Sequence, residues 1–182
     1  MATKIKVLFC LQALVLGFSA YVHGLPAQIV IIPNAEESSS GALSITGQQR
    51  AQALVPYLTQ TPGLIGPGLY HVLFACKPNT LVPNLGSMQT LAPLSFTLGL
   101  PVHTPYGFGD EGAMANLLLN NPRYDGLSIM IAWQQDAVSN LLVQLGYDPL
   151  SGSPANNTTF VLAYPKTSNT PTATIYNLLY GD

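Results

Sequence analysis

The sequence predicts an α/β fold of three layers, a mainly parallel central sheet with helices on both faces. Three observations predict it. Short apolar runs rich in Val and Ile alternate with segments of helical period from residue 28 to residue 145. Those runs are continuously apolar rather than alternating, as expected of strands that crossover helices bury on both sides. The 182 residues suffice for one such domain and are too few for two ordinary ones. Neither a repeat nor a linker divides Leu25 to Asp182, so one domain over 25–182 is expected.

Taken in order, Gln28 to Ile32 is a β-branched run stopped by Pro33-Asn34, a buried first strand. Ser44-Ile45-Thr46-Gly47 opens a helix with Ala51, Leu54, Val55 and Leu58 on one face, and Thr61-Pro62-Gly63 closes it. Tyr70 to Ala75 gives a second strand and Met88 to Leu98 a second helix, after a loop rich in Pro and Asn. Leu100 to His103 is a short third strand, and Gly112 to Leu119 a helix closed by Asn120-Asn121-Pro122. Leu127 to Ala132 is a fourth strand, and Ala137 to Leu145 a helix ended by Gly146. Thr158 to Tyr164 and Thr172 to Leu179 close the chain as a strand pair about the Pro165–Pro171 turn.

Residues 1–24 read differently. Lys4 and Lys6 precede an apolar run from Val7 to Ala20 that is too short to cross a bilayer comfortably. A basic start, an apolar run and small residues make a secretory signal peptide, cleaved after Ala20 or after Gly24; an uncleaved anchor is the competing reading. Cys10 lies in mid-run and fits a lipoprotein site poorly. Export leaves four basic and eight acidic residues, a charge of −4, and Cys76 as the one remaining thiol. No disulfide framework is then possible, and a basic nucleic-acid binder, a disordered acidic chain and a long coiled coil are excluded. The surface is polar but weakly charged, since Asn and Gln outnumber charged residues after the leader. Such a surface loses little solvation when another protein covers it.

In open α/β sheets ligands bind beyond the carboxyl ends of the strands, so the loops after those ends carry the argument. Residues 29–37, Ile-Val-Ile-Ile-Pro-Asn-Ala-Glu-Glu, followed by Leu43-Ser44-Ile45-Thr46-Gly47 and Ala51, resemble the start of the histidine phosphatases, the phosphoglycerate-mutase-like superfamily. There a strand ends in Arg-His-Gly/Ala-Glu, and Leu-Ser-x-x-Gly-x-x-x-Ala opens the next helix. Ala75-Cys76-Lys77-Pro78, Met88-Gln89-Thr90-Leu91 and Ile129 to Gln135 resemble later family segments in family order.

The resemblance implies a phosphoryl-transfer pocket, but its chemistry is missing at every position. That reaction requires an imidazole nucleophile, arginines and a second histidine on the phosphoryl oxygens, and a carboxylic acid for the leaving group. The nucleophile matches Asn34, an amide without a usable lone pair, and the preceding arginine matches Pro33. The second arginine matches Gly86, and the second histidine matches Gln135, or Gln134 if the register slips by one. Asp110 or Glu111 stands where the family places its acid, and Glu36 follows the vacated nucleophile position; all three read first as solvated loop carboxylates. A non-catalytic protein is therefore expected, an exported structural or accessory subunit of a cell-envelope assembly such as a secretion system. Its place would be periplasmic, outer-membrane-associated or secreted, with protein partners, no nucleic acid, and no transmembrane helix in the mature chain. The sequence does not set an oligomeric state.

The alternative is a small-molecule binding module, with Asn34, Glu36, Asn84, Asp110, Glu111, Trp133, Gln134 and Gln135 as candidate lining residues. An active hydrolase using Asp110, Glu111 or Cys76 is a third class. No cofactor is implied: Gly107-Phe108-Gly109-Asp110 lacks the third glycine of a dinucleotide loop, and Ser151-Gly152-Ser153-Pro154 follows no strand as a nucleophile elbow must. No metal is expected from one Cys and scattered His. Cys76 beside Lys77 reads as a buried inert thiol before a reactive one. Asn156 and Asn157 begin glycosylation sequons, relevant only in a eukaryotic secretory route. One arrangement would undo the vacancy: His71 or His103 in a single crevice with Arg50 or Arg123 at the ligand edge of the sheet.

Overall fold

A computed structural model of the chain describes residues 24–79, 84–149, 157–166 and 168–177. The expected signal peptide, the Ser151–Pro154 segment and Asn156 lie outside these residues, apart from Gly24.

Six strands form one sheet in the order β3-β2-β4-β1-β5-β6. They are β1 (Gln28–Pro33), β2 (Val72–Ala75), β3 (Val102–His103), β4 (Ser128–Trp133), β5 (Thr158–Ala163) and β6 (Thr172–Asn177). The first four run parallel, and the β5–β6 hairpin adds antiparallel to β1. Four helices connect them: α1 (Ile45–Gln60), α2 (Gly86–Leu98), α3 (Glu111–Asn120) and α4 (Gln135–Gln144). This is the three-layer α/β architecture that the alternating pattern predicts.

The period-2 geometry of β1 divides the core. Ile29 and Ile31 face α3 and α4 with Met114, Leu118, Val138 and Leu141. Val30 and Ile32 face α1 and α2 with Leu54, Leu58, Leu91 and Leu94. Every residue of β1 and β4 is buried, which is why both read as apolar runs after their first residues, Gln28 and Ser128. Pro33 ends a central strand without loss: Asn34 N–H turns to β4 and donates to the Trp133 carbonyl. The adjacent amide, which Pro33 lacks, faces the β5 side, where pairing already stops at Ile31.

Element ends differ from the sequence pattern where distant residues set them. Strand β3 is two residues long, because pairing with β2 begins only at Val102, after Pro101. Strand β2 begins at Val72; His71 N–H bonds the Ser128 carbonyl while its Nδ1 accepts from Ser128 N–H. A 3-10 turn at Pro122–Tyr124, with Asn121 accepting from Arg123 N–H, follows α3. Helix α4 begins at Gln135, two residues before the apolar periodicity, and α2 begins at Gly86.

Candidate functional site

The carboxyl ends of β1 and β4 lie side by side, Pro33 opposite Trp133, and the loops beyond them enclose a cleft of about 420 Å³. Asn34, Ala35, Glu36, Glu37, Gln134, Gln135 and Asp136 line it. The crevice thus lies at the edge that the topology designates, and it gathers Asn34, Gln134 and Gln135.

Local sequence builds the β1 side. The Ser44 hydroxyl caps α1 by accepting from Gly47 N–H at 3.0 Å. Ser44 N–H bonds the Glu36 carbonyl. A Cβ at residue 47 would lie 2.2 Å from that same carbonyl oxygen, so only glycine fits. The Leu-Ser-x-x-Gly segment therefore folds the Glu36 backbone onto the first turn of α1. Thr90 completes the floor: its hydroxyl accepts from Ala35 N–H and donates to the Gly86 carbonyl.

Asn34 is a brace. Its Oδ1 accepts from Gln135 N–H at 3.0 Å, satisfying one of the orphan donors at the start of α4. Its Nδ2 donates to Glu37 Oε1 at 2.9 Å and to the Ala35 carbonyl. Glu37 also accepts from the backbone N–H of Gly86, the first residue of α2. A Cβ at residue 86 would lie 2.1 Å from Glu37 Oε1. The carboxylate therefore occupies the space that a side chain at position 86 would need. Partial burial pushes the Glu37 carboxyl above the usual range, and the two hydrogen bonds oppose that shift.

No basic residue lines the cleft, and three carboxylates do. Arg50, on α1, is buried with 6 % of its side chain exposed, and its guanidinium donates to Glu36 Oε1 at 2.5 Å. Arg50 is thereby drawn to the Glu36 carboxylate. Glu37 and Asp136 add negative charge to the cleft, which opposes the binding of a phosphate ester.

Other candidate residues fall elsewhere. Trp133 is fully buried in the core, and its Nε1–H donates to Glu111 Oε1 at 3.1 Å, so it offers no platform to a ligand. Glu111 is buried too and accepts in addition from Gly109 N–H, so it is not the solvated loop carboxylate that the sequence suggests. Asp110 is exposed; it accepts from Gly107 N–H and lies outside the cleft lining. Asn84 accepts from Asn79 N–H and is likewise outside it. Glu37 and Asp136 line the cleft without having been singled out in the sequence. A glycine in place of an arginine, with a carboxylate three residues after Asn34, was the available signal for Glu37.

Cys76 is buried, and desolvation pushes its thiol up to about 12, as an inert cysteine requires. His103 and Arg123 do share a depression, of about 460 Å³, walled by Val72, Phe74, Leu117 and Tyr124. It contains none of the cleft residues and lies beside edge strand β3, so it does not bring an imidazole–guanidinium pair to the cleft. Among the described residues, no group of three or more His, Cys, Asp and Glu could hold a metal ion, and no helix is long and apolar enough to cross a membrane.

A cleft at the carboxyl edge, floored by a Ser-x-x-Gly helix start and by Thr90, on a sheet of order 3-2-4-1-5-6, defines a three-layer α/β protein. The chain shares its fold with the protein histidine phosphatase SixA, solved in complex with tungstate. That comparison has a TM-score of 0.59 at 16% identity, over 83% of this chain and 97% of that one. It is also similar to a crystal structure described as that of a phosphohistidine phosphatase SixA from Agrobacterium tumefaciens, with a TM-score of 0.53 at 11% identity over 77% and 93% of the two chains. No protein-family model matches the sequence. No curated protein matches it in sequence either.

Proposed function

We propose that this protein is a non-catalytic relative of the histidine phosphatases. It would be exported by its N-terminal segment and would act through protein–protein contact as a structural or accessory subunit of a cell-envelope assembly. The observation that carries the reading is the Asn34–Glu37–Gly86 closure. Where the resemblance calls for an imidazole and two guanidinium groups, an amide ties β1 to α4 and a carboxylate fills the space beside Gly86. A SixA protein of this fold is solved with tungstate, a tetrahedral oxyanion; Glu37 and Asp136 would repel such a species here. Losing even one charge-assisted contact to a phosphoryl group removes roughly 3 kcal/mol of transition-state stabilisation, and losing the nucleophile removes the covalent route entirely.

The test is phosphate release from an aryl phosphate and from a phosphohistidine peptide. Release equal to that of Asn34→Ala is expected; release clearly above that control overturns the reading. A second reading rests on the cleft itself, whose volume and amide lining suit a small polar neutral or cationic ligand. It requires saturable thermal stabilisation by such a ligand that Gln135→Leu abolishes.

A further inference from the structure

The depression beside β3 is built unlike the cleft. Its volume, about 460 Å³, falls in the range of small-molecule pockets, and Val72, Phe74, Pro105 and Leu117 give it apolar walls. Phe74 anchors an aromatic floor: the Tyr124 ring packs edge-on to it and the His103 ring lies tilted against it, each with centroids 5.8 Å apart. His103, Thr104, Arg123 and Tyr124 supply the polar part of the wall. Among the described residues, none of these four side chains makes a hydrogen bond or an ion pair. Tyr124 is 8% exposed, and a tyrosine so buried ordinarily pairs its hydroxyl. In the β1–β4 cleft, by contrast, Asn34 is tied to Glu37 and to Gln135.

We infer that this depression binds a small aromatic carboxylate. Local sequence holds the charged group in place: Asn121 Oδ1 accepts from Arg123 N–H at 3.1 Å, and Pro122 opens the 3-10 turn that carries Arg123. Asp125, the nearest carboxylate in sequence, accepts from Gly24 N–H at 2.9 Å, and no carboxylate lines the depression. Arg123 is the one lining residue with a permanent charge, and its planar fork of donors matches both oxygens of a carboxylate. The hydroxyls of Thr104 and Tyr124 and the His103 N–H are further donors on the same wall. A ring covers the apolar walls, which a bare anion would leave wet, and the carboxylate pairs the guanidinium, which a neutral ring would leave unpaired. An added β-strand does not fit this edge: β3 is two residues long, and Pro101 and Pro105 stand on either side of it. The site shares no residue with the cleft and goes beyond the contact reading above.

Heteronuclear NMR titration tests it with three probes: cinnamate, its uncharged amide cinnamamide, and acetate, which has the carboxylate without the ring. Cinnamate is expected to shift the amides of His103, Thr104, Leu117 and Tyr124 and to saturate with a Kd of about 1 mM or tighter. Cinnamamide and acetate bind at least about tenfold more weakly, since each lacks one half of the recognition. Arg123→Gln lowers cinnamate affinity at least about tenfold, to the level of cinnamamide. Arg123 is exposed and its turn is held through the backbone, and unchanged far-UV circular dichroism confirms folding. Shifts that stay linear in cinnamate to its solubility limit overturn the inference, as do shifts confined to Gln134, Gln135 and Asp136. Equal binding of either control probe, or unchanged cinnamate affinity in Arg123→Gln, overturns it too. Phosphate release does not bear on this site, so the non-catalytic reading and this one fail separately.

Discussion

Asn34→Ala is the sharpest probe of the claim that Asn34 braces β1 against α4. The substitution deletes the acceptor for Gln135 N–H, bonded at 3.0 Å, and the donor to Glu37 Oε1 at 2.9 Å. Losing a capping acceptor at a helix start costs about 1 kcal/mol. The bond to Glu37 is made at the surface, so roughly 0.5 kcal/mol is the appropriate allowance. The sum, about 1.5 kcal/mol, lowers Tm by approximately 3–6 °C for a domain of this size. Thermal unfolding followed by circular dichroism reads it. Asn34→Asp keeps an acceptor for Gln135 N–H and favours the helix dipole, but sets a second carboxylate against Glu37. Its deficit therefore shrinks as pH falls and one of the two carboxyls takes up a proton. An Asn34→Ala Tm equal to wild type refutes the brace, because a side chain held only by solvent leaves nothing to lose.

Glu111→Leu strands the buried Trp133 Nε1–H and the Gly109 N–H, which costs about 1–3 kcal/mol, whereas Glu111→Gln retains an acceptor. Trp133 is the only tryptophan, so its fluorescence reports the change directly, and equal stability of the two variants counts against the contact. The Glu37 carboxyl is raised in the fold by partial burial. The folded state therefore holds that proton more tightly than the unfolded chain does. Its contribution to stability is fully present below the unfolded carboxyl value and is lost as pH rises through the folded one. Glu37→Gln consequently gains stability relative to wild type as pH rises to neutrality and loses that advantage in acid. An unfolding series across that range that shows the opposite trend rejects the assignment.

Much of the fold was legible in local sequence. The runs at Gln28–Ile32 and Leu127–Ala132 are strands because both faces of a parallel sheet are covered, and such burial leaves only Gln28 and Ser128 as polar residues, each near the start of its run. Ser44 and Gly47 mark the start of α1 because both act within one helical turn. Element ends were less legible: α4 starts at Gln135, where Asn34, from the loop after β1, accepts from the Gln135 N–H.

The sequence alone determined the fold class and the order of elements, since each is a property of short segments and residue types. Tertiary structure decided which side chains meet. It buried Trp133 on Glu111, drew Arg50 to Glu36 and set Glu37 in the space that glycine leaves at position 86. These pairings join residues far apart in the chain or depend on the direction of a side chain. Composition and period carry no record of either, because contact is fixed only when the whole sheet has closed.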